Sequence, residues 1–174
     1  MGGTDTHRGR PGSPLSNQSG LDAREHVTGG ITGVLCRELT RRAIWEALLA
    51  RRCYATTSVR VLLDFDVNGL SMGEELRVTQ ADEDRFAKRT ITCRAVGTCP
   101  IDRVVIVRNG QEVYSKAIGD MACAVQWEDG EPLDSIHDAR IEGAYYYAKV
   151  YQRDRNVGWT SPMWLTFDRP REAF

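Results

Sequence analysis

The stretch VRVLLDFDVNG, residues 59–69, decides the fold class, because its hydrophobic residues recur at every second position. Arg60, Asp64 and Asp66 occupy the alternate positions. This period of two is typical of a β-strand with one face buried and one face in water. Asn68-Gly69, which follows directly, is a turn signal. The pattern therefore predicts a strand from Val59 to Val67 that ends in a tight turn.

The rest of the chain repeats this pattern in short runs. Six more strands are predicted, at 91–95, 104–107, 113–114, 121–127, 144–150 and 159–167. Asn109-Gly110 predicts a two-residue hairpin between the strands at 104–107 and 113–114. Pro162 indicates an edge position for the last strand. Seven short strands in roughly 110 residues indicate an immunoglobulin-like antiparallel β-sandwich, so the predicted fold class is mainly β.

The amino-terminal third follows another pattern. Glycine and proline are frequent before residue 34, which predicts loops. Thr40 is a candidate N-cap, and Ile44, Ala47 and Leu48 then recur at helical spacing, so an amphipathic helix is expected from about Thr40 to Arg52. We therefore predict two regions, residues 1–58 and a β-sandwich domain over residues 59–174. The exposed stripe of this helix is expected to dock on the sandwich or to mediate self-association.

Composition limits the classes of function. The 174 residues are 41% hydrophobic and 27% charged, with a net charge of −1. This is ordinary globular composition, and it provides no basic excess for nucleic acid or anionic membranes. No apolar run approaches the roughly 20 residues of a membrane span, and no signal peptide is recognisable. We therefore expect no nucleic-acid or membrane partner and a cytoplasmic location for the chain as written, with its true amino terminus open.

The cysteines give no readable site. They are five in number and form no C-x-x-C pair, so neither a disulfide framework nor a zinc ribbon is indicated; they are Cys36, Cys53, Cys93, Cys99 and Cys123. Free, mainly buried thiols are expected.

The strongest candidate for chemistry is GGTDTHRGRPG, residues 2–12. Asp5 and His7 are two residues apart, so on an extended segment both side chains project to one side and can ligate a divalent metal. An ordinary loop tripeptide is the alternative, because Asp-x-His is common. Two ligands also fall short of the three protein ligands that a catalytic zinc site usually has.

Five segments together carry a resemblance to a known family. They are GGTDTHRGRPG (2–12), GGITGVLCRELTRRAIWEALLARRCYATT (29–57), RVLLDFDVNG (60–69), IDRVVIVRNG (101–110) and WTSPMWL (159–165). In order and spacing they resemble the carboxy-terminal portion of an uncharacterised bacterial family related to the PHP (polymerase and histidinol phosphatase) metal-dependent phosphoesterases. The resemblance implies that residues 1–58 are the remnant of a PHP-like α/β barrel, carrying its last metal motif, a loop and a helix.

The resemblance also implies roles for single residues. Asp5 and His7 would be ligands of zinc or manganese. From their own position beside this motif, Arg8 and Arg10 are candidates to contact an anionic small-molecule substrate, and the loop residue His26 is a candidate for substrate contact, metal ligation or acid/base chemistry. Solvated loop side chains are the alternative for these last three. The family's His-x-His motif is missing here, so the chain is expected to be a carboxy-terminal fragment that is inactive alone and a hydrolase only in the full-length context.

A second class of function stays open, namely a non-catalytic β-sandwich that binds a ligand or a partner. Tyr145, Tyr147 and Tyr151 are expected on the strand face opposite Ala144 and Tyr146. Such a strip can stack on sugar rings or receive a partner. Packing against the other sheet or an adjoining barrel is the alternative.

Overall fold

The structure, a computed structural model, describes residues 1–3 and 29–167. Along the chain the helices and strands are β1 (Ile31–Val34), α1 (Arg41–Leu49), β2 (Cys53–Thr56), β3 (Leu62–Val67), β4 (Leu70–Ser71), β5 (Glu75–Val78), a 3-10 turn (Gln80–Asp82), α2 (Glu83–Phe86), β6 (Arg89–Val96), β7 (Ile101–Arg108), β8 (Gln111–Ala117), β9 (Ala122–Asp129), β10 (Gly143–Gln152), β11 (Val157–Thr160) and β12 (Met163–Phe167). The described chain is therefore mainly β, as the alternating pattern predicts.

The strands form two sheets. The larger sheet has eight strands in the order β1-β2-β11-β10-β12-β5, and β7 and β8 extend it from the other side of β10. The smaller sheet has the order β4-β3-β6-β9. Every strand pair is antiparallel except β5 with β12.

The two sheets enclose one hydrophobic core. Alternate residues of β3, β6 and β10 point into it, including Leu63, Phe65, Ile91, Tyr146 and Val150, each at most 2% exposed. Burying a side chain of this size stabilises the fold by about 1.5–3 kcal/mol. The hydrophobic residues that recur at every second position in the sequence are thus the residues that point into the core.

The strand predicted from Val59 to Val67 begins later than expected. β3 starts at Leu62, although Val61 is already 1% exposed. Ser58 has a φ of 76°, which turns the chain just before this segment. Val61 is therefore buried in the core although the backbone pairing with β6 starts only at Leu62.

The predicted hairpin at Asn109-Gly110 is confirmed, and it joins β7 to β8. Asn109 has a φ of 51° and Gly110 a φ of 83°. Positive φ at both central residues is what a type I′ turn requires, and Asn-Gly is the preferred pair for it.

Pro162 does not lie in an edge strand, so that expectation is wrong. The predicted last strand is split into β11 and β12, which both pair with β10 on the same side. β2 and β5 then cover their outer edges. Because proline lacks an N–H, it fits the interruption between the two strands, where its carbonyl oxygen accepts from the Gly73 N–H at 2.8 Å.

Helix α1 is confirmed but shorter than expected. Thr40 is its N-cap, and its Oγ1 accepts a hydrogen bond from the Ala43 N–H at 3.2 Å. The helix ends at Leu49 because Arg51, with a φ of 55°, turns the chain into β2. No helix within residues 1–3 and 29–167 has the length and apolar character that crossing a membrane requires.

The boundary placed near residue 58 does not coincide with the edge of a sheet. β2, which precedes it, pairs with β11, which follows it, through Ala55 and Trp159 among others. The sequence missed β1, β2, β4 and β5 because strands of two to four residues are too short to show a period. The residues before position 58 thus contribute strands to the larger sheet.

Candidate functional site

The predicted metal and substrate residues, Asp5, His7, Arg8, Arg10 and His26, lie outside the described residues. The residues that flank them are described, and they meet at β1. The Gly2 N–H donates to Thr32 Oγ1 at 3.0 Å, and that hydroxyl donates to the Gly2 carbonyl at 2.9 Å. The segment that carries the Asp-x-His motif is therefore anchored to the larger sheet just before the motif.

Glycine is needed for this anchor. A Cβ on Gly2 would lie 2.5 Å from the Ile31 carbonyl oxygen, and one on Gly30 would lie 3.2 Å from the Gly3 carbonyl oxygen. A Cβ on Gly2 would therefore push the two stretches apart, whereas one on Gly30 would be tight and would need a shift of a few tenths of an ångström. Residues 3 and 30, which bracket the predicted site, consequently lie side by side.

The described part of the chain contains no cluster of side chains suited to hold a metal ion. Within residues 1–3 and 29–167, no group of three or more His, Cys, Asp or Glu side chains is arranged to hold a metal ion. All five cysteines are free, with Cys53 and Cys93 buried. Burial raises the pKa of the Cys93 thiol to about 12, so this thiol stays protonated and inert at neutral pH.

A buried ionic network, which the sequence analysis missed, lies between the two sheets. Asp129 on β9 forms an ion pair with Arg89 on β6 at 3.0 Å, and it accepts hydrogen bonds from the Tyr146 hydroxyl at 2.6 Å and from Arg108 on β7 at 2.7 Å. Arg89 is 0% exposed, and it also donates to the backbone carbonyls of Phe86 and Glu131. The network therefore fastens both sheets to each other.

The donors around Asp129 outweigh the cost of burying its charge. Burial by itself raises the pKa of this carboxyl, but the bonds from Tyr146, the Glu131 N–H and Arg108, with the charge of Arg89, lower the pKa below its ordinary value. Burial also raises the pKa of Tyr146, which stays a neutral donor. With its polar groups paired to one another, the network is built for stability rather than for chemistry on a substrate.

The tyrosine strip is confirmed on β10. Tyr145, Tyr147 and Tyr151 are half-buried on the face opposite the buried Ala144 and Tyr146. The rings of Tyr145 and Tyr147 stack at 6.4 Å with an angle of 11° between their planes. The rings of Tyr145 and Tyr147 thus lie nearly parallel on the outer face of the larger sheet.

Two tryptophans extend this strip into neighbouring strands. Trp159 is opposite Lys149, and Trp164 is opposite Tyr145. Directly opposed residues share a face, so the outer surface of the larger sheet carries five aromatic side chains, namely Tyr145, Tyr147, Tyr151, Trp159 and Trp164, which we call the aromatic face. Arg103 and Arg51 lie 4.0 Å and 4.9 Å from the ring centres of Tyr151 and Trp164.

Ion pairs balance the charges on the aromatic face. Lys149 pairs with Glu112 at 3.2 Å, Arg103 with Asp102 at 2.8 Å, and Arg51 with Glu75 at 3.7 Å. Each of these three cations beside the rings therefore has an acidic partner. Such a surface can stack on a sugar ring or pack against protein.

Fold and site together define a class, a mainly β protein of two sheets around one core, with a glycine-anchored segment at a sheet edge. The family model described as "Protein of unknown function (DUF3604)" matches residues 2–92, more than half of the chain. The chain belongs to this family. The matched residues include both the Asp-x-His segment and β3.

Relatives occur in Chlamydia. An uncharacterised protein of Chlamydia pneumoniae is 32% identical over 140 residues, which cover 78% of this chain and 22% of that relative. Uncharacterised proteins of Chlamydia muridarum and Chlamydia trachomatis are 29% and 27% identical over 146 residues, covering 82% of this chain and 23% of each relative. The chain therefore spans less than a quarter of the length of the curated relatives it matches.

Proposed function

We propose that the chain is the carboxy-terminal part of a PHP-like metal-dependent hydrolase of phosphoesterase type, and that it is inactive in isolation. Asp5 and His7 then hold a divalent zinc or manganese ion, and Arg8, Arg10 and His26 contact an anionic substrate. The resemblance of the five segments supports this role. The length of the relatives also supports it, because further ligands can lie in the polypeptide outside the match.

The anchor at β1 is the observation that carries the proposal. Gly2 is fixed to Thr32 three residues before Asp5, and the family match begins at the same glycine. A catalytic ligand must be held in a defined place, and positions close to a rigid sheet are suited to that task. The anchor thus supplies a fixed starting point for the motif.

Asp5 and His7 are the kinds of residue that bind such an ion, but two ligands are fewer than a catalytic site needs. A carboxylate oxygen and an imidazole nitrogen are donors that zinc and manganese both accept. The chemistry that a bound divalent ion supplies is activation of water and polarisation of a phosphoryl oxygen. Asp5 and His7 by themselves bind it weakly, which is why we assign activity only to a longer protein.

We further propose that residues 1–58 derive from the closing part of a PHP-like barrel and that residues 59–174 are an appended immunoglobulin-like sandwich. The two sheets around one core support the second part of this proposal. The strand pairing of β2 with β11 means that the two regions are joined through a common sheet.

Calorimetric titration of the chain with Zn²⁺ and Mn²⁺ tests the ligand assignment. We expect weak binding that is lost in His7→Ala and in Asp5→Asn. His137→Ala is the matched control, because His137 lies between strands far along the sequence, and it should leave binding unchanged. Equal binding by the wild type and His7→Ala would refute the assignment.

A binding module is the second candidate function, and the aromatic face favours it. Five half-buried aromatic side chains on one sheet surface are suited to stacking on carbohydrate rings. Affinity electrophoresis in soluble polysaccharides tests this function. Trp45→Ala, on helix α1, is the control. If retardation is lost in Trp164→Ala and retained in Trp45→Ala, the aromatic face binds the polysaccharide. Equal retardation of both variants would exclude the aromatic face as the binding surface.

A further inference from the structure

A cleft of about 690 Å³ lies where helix α1 meets the connection that leads into it from β1. Residues 35–38 of this connection line it, together with Ala43 and Glu46 of the helix and Arg52, which directly precedes β2. A volume of this size is typical of sites that hold small molecules. None of these residues belongs to the aromatic face or to the buried network, so the cleft is a separate candidate site.

Arg52 lacks an acceptor for its guanidinium. Its Nε is buried without a hydrogen-bond partner, and no other side-chain nitrogen or oxygen within residues 1–3 and 29–167 is in that state. Proteins rarely leave a buried donor unpaired. Arg52 as a whole is half-buried and lines the cleft, so a ligand in the cleft contacts its side chain. An oxygen acceptor bound there would supply the missing partner.

Arg37 is a second cation of the cleft without an acidic partner. It is exposed, and it forms no ion pair within the part of the chain that the structure describes. The acidic side chains of the cleft are engaged, because Glu46 pairs with Arg42 at 2.7 Å and Glu38 accepts from the Thr40 hydroxyl at 3.3 Å. Since Arg42 balances the charge of Glu46, two guanidinium groups remain against one carboxylate, and the cleft has an excess of positive charge.

We propose that this cleft binds an oxyanion, the phosphate or carboxylate group of a small molecule, through Arg37 and Arg52. A guanidinium presents a planar set of N–H donors that matches the oxygens of both groups, and hydrogen bonds between opposite charges are stronger than those between neutral groups. Leu35 and Ala43 provide apolar surface for the rest of the molecule. The cleft thus combines charged donors for an anion with room for what carries it.

The oxyanion site is independent of the predicted metal ligands. Gly30, beside the anchor at Gly3, precedes β1, whereas Leu35 of the cleft follows this strand. Five positions of extended chain cover about 16 Å. The proposal uses neither Asp5 nor His7, so its test can fail or succeed whatever the outcome for the proposed hydrolase function.

NMR titration of the isotope-labelled chain with inorganic phosphate, and separately with acetate, tests the proposal in metal-free buffer at constant ionic strength. The Nε–H signal of Arg52, assigned by its loss in Arg52→Gln, should shift and saturate with at least one of the two ions. The ion with the lower Kd identifies the chemical class. Arg37→Gln should raise that Kd at least about tenfold, because a charge-assisted hydrogen bond is lost. Arg37 is exposed, so the fold should persist, which circular dichroism checks.

Arg60→Gln is the matched control. Arg60 is exposed and lies outside the cleft, and its replacement removes the same charge, so the Kd should change less than about twofold. His7→Ala should also leave the Kd unchanged. An equal rise of the Kd in Arg37→Gln and Arg60→Gln overturns the proposal, because the ion would then only screen surface charge. So does a signal of Arg52 that does not saturate with either ion up to about 100 mM.

Alkylation of Cys36 locates the ion by a second route. This thiol is exposed and lines the cleft, so a saturating concentration of the tighter ion should slow its reaction with iodoacetamide. Cys99, which lies outside the cleft, is the reference and should keep its rate. Peptide mass spectrometry follows both residues. A Cys36 rate that the ion leaves unchanged overturns the assignment of the oxyanion to this cleft.

Discussion

At the scale of single residues, Asp129 is the centre of the buried network, because side chains from three strands converge on its carboxylate: Arg108 and Tyr146 donate hydrogen bonds to it, and Arg89 forms an ion pair with it. The alternation of β6 and β9 already contains the signal for this network. Arg89 lies on the same face of β6 as the buried Ile91 and Cys93, because the three residues are two positions apart. Asp129 lies on the same face of β9 as the buried Val125. A charged residue at a core position must find a partner, but the sequence does not show which partner, since the pairing depends on how the two sheets meet.

Replacement of Asp129 by asparagine should be strongly destabilising. The variant leaves Arg89 charged, 0% exposed and without its carboxylate, and breaking a buried pair in this way costs about 3–5 kcal/mol. The free energy of unfolding in urea measures the effect. Asp102→Asn is the matched control, because its ion pair with Arg103 is half exposed and should cost no more than about 1 kcal/mol. Equal losses in both variants would contradict this account.

The same carboxylate makes stability depend on pH. The donors hold the pKa of Asp129 in the folded protein below its ordinary value of 3.8. Its contribution is therefore complete above about pH 4 and is lost as the pH falls through the folded pKa. Urea unfolding between pH 6 and pH 2 should show a smaller acid loss in Asp129→Asn than in the wild type. Parallel curves for the two proteins would show that another group controls the acid transition.

At the scale of elements, the turn between β7 and β8 is predicted most closely by the sequence, through the residue pair Asn109-Gly110. Gly110 adopts a φ of 83°, so Gly110→Ala should cost more than about 1 kcal/mol, since alanine is strained in that region. Gly130→Ala is the matched control, because a Cβ there meets no atom within 4 Å. Thermal unfolding distinguishes the two. A destabilisation of Gly130→Ala as large as that of Gly110→Ala would refute the role of the turn.

Helix α1 shows where prediction from sequence ends. Its apolar stripe is real, but only part of it is covered. Ala47 is buried, whereas Trp45 and Leu49 are 61% and 63% exposed. Periodicity identifies the apolar side of a helix, but it does not show how much of that side a neighbour covers. Likewise, Pro162 predicts an edge position, which is wrong, because the chain is interrupted at this residue and both flanking strands, β11 and β12, pair on two sides within the larger sheet.

Self-association through α1 remains a prediction at this scale. Exposed tryptophan and leucine favour contacts with another surface, and Trp45→Glu with Leu49→Glu should lower the sedimentation coefficient if the helix mediates association. The variant should also keep the stability of the wild type within about 0.5 kcal/mol, because surface substitutions rarely do more. A large loss of stability would mean that these side chains are covered in solution.

At the scale of the whole molecule, the two-sheet core is expected to be the stable unit. Glycine and proline are dense before residue 34, and β3 to β12 hold the shared core. Limited proteolysis should therefore cut first between about residue 8 and residue 35. Mass spectrometry of the early products identifies the site. A first cut within β3 or β10 would contradict this order of stability.

The candidate metal site was predictable only as a motif. Asp5 and His7 are recognisable by spacing and by the resemblance, while the anchor of Gly2 on Thr32 depends on a contact between residues 30 positions apart. No local pattern reveals such a contact. The same holds for Trp159 and Trp164, which join the tyrosines of β10 only because the strands that carry them pair with it.

Hydrolysis of generic phosphomonoesters and phosphodiesters by this chain, with added Zn²⁺ or Mn²⁺, tests the central claim most directly. Because Asp5 and His7 are fewer ligands than a catalytic centre needs, we predict no turnover above that of the free metal ions, and no difference between the wild type and His7→Ala. Turnover by the wild type that disappears in His7→Ala would show that the chain is a complete enzyme and would contradict the account.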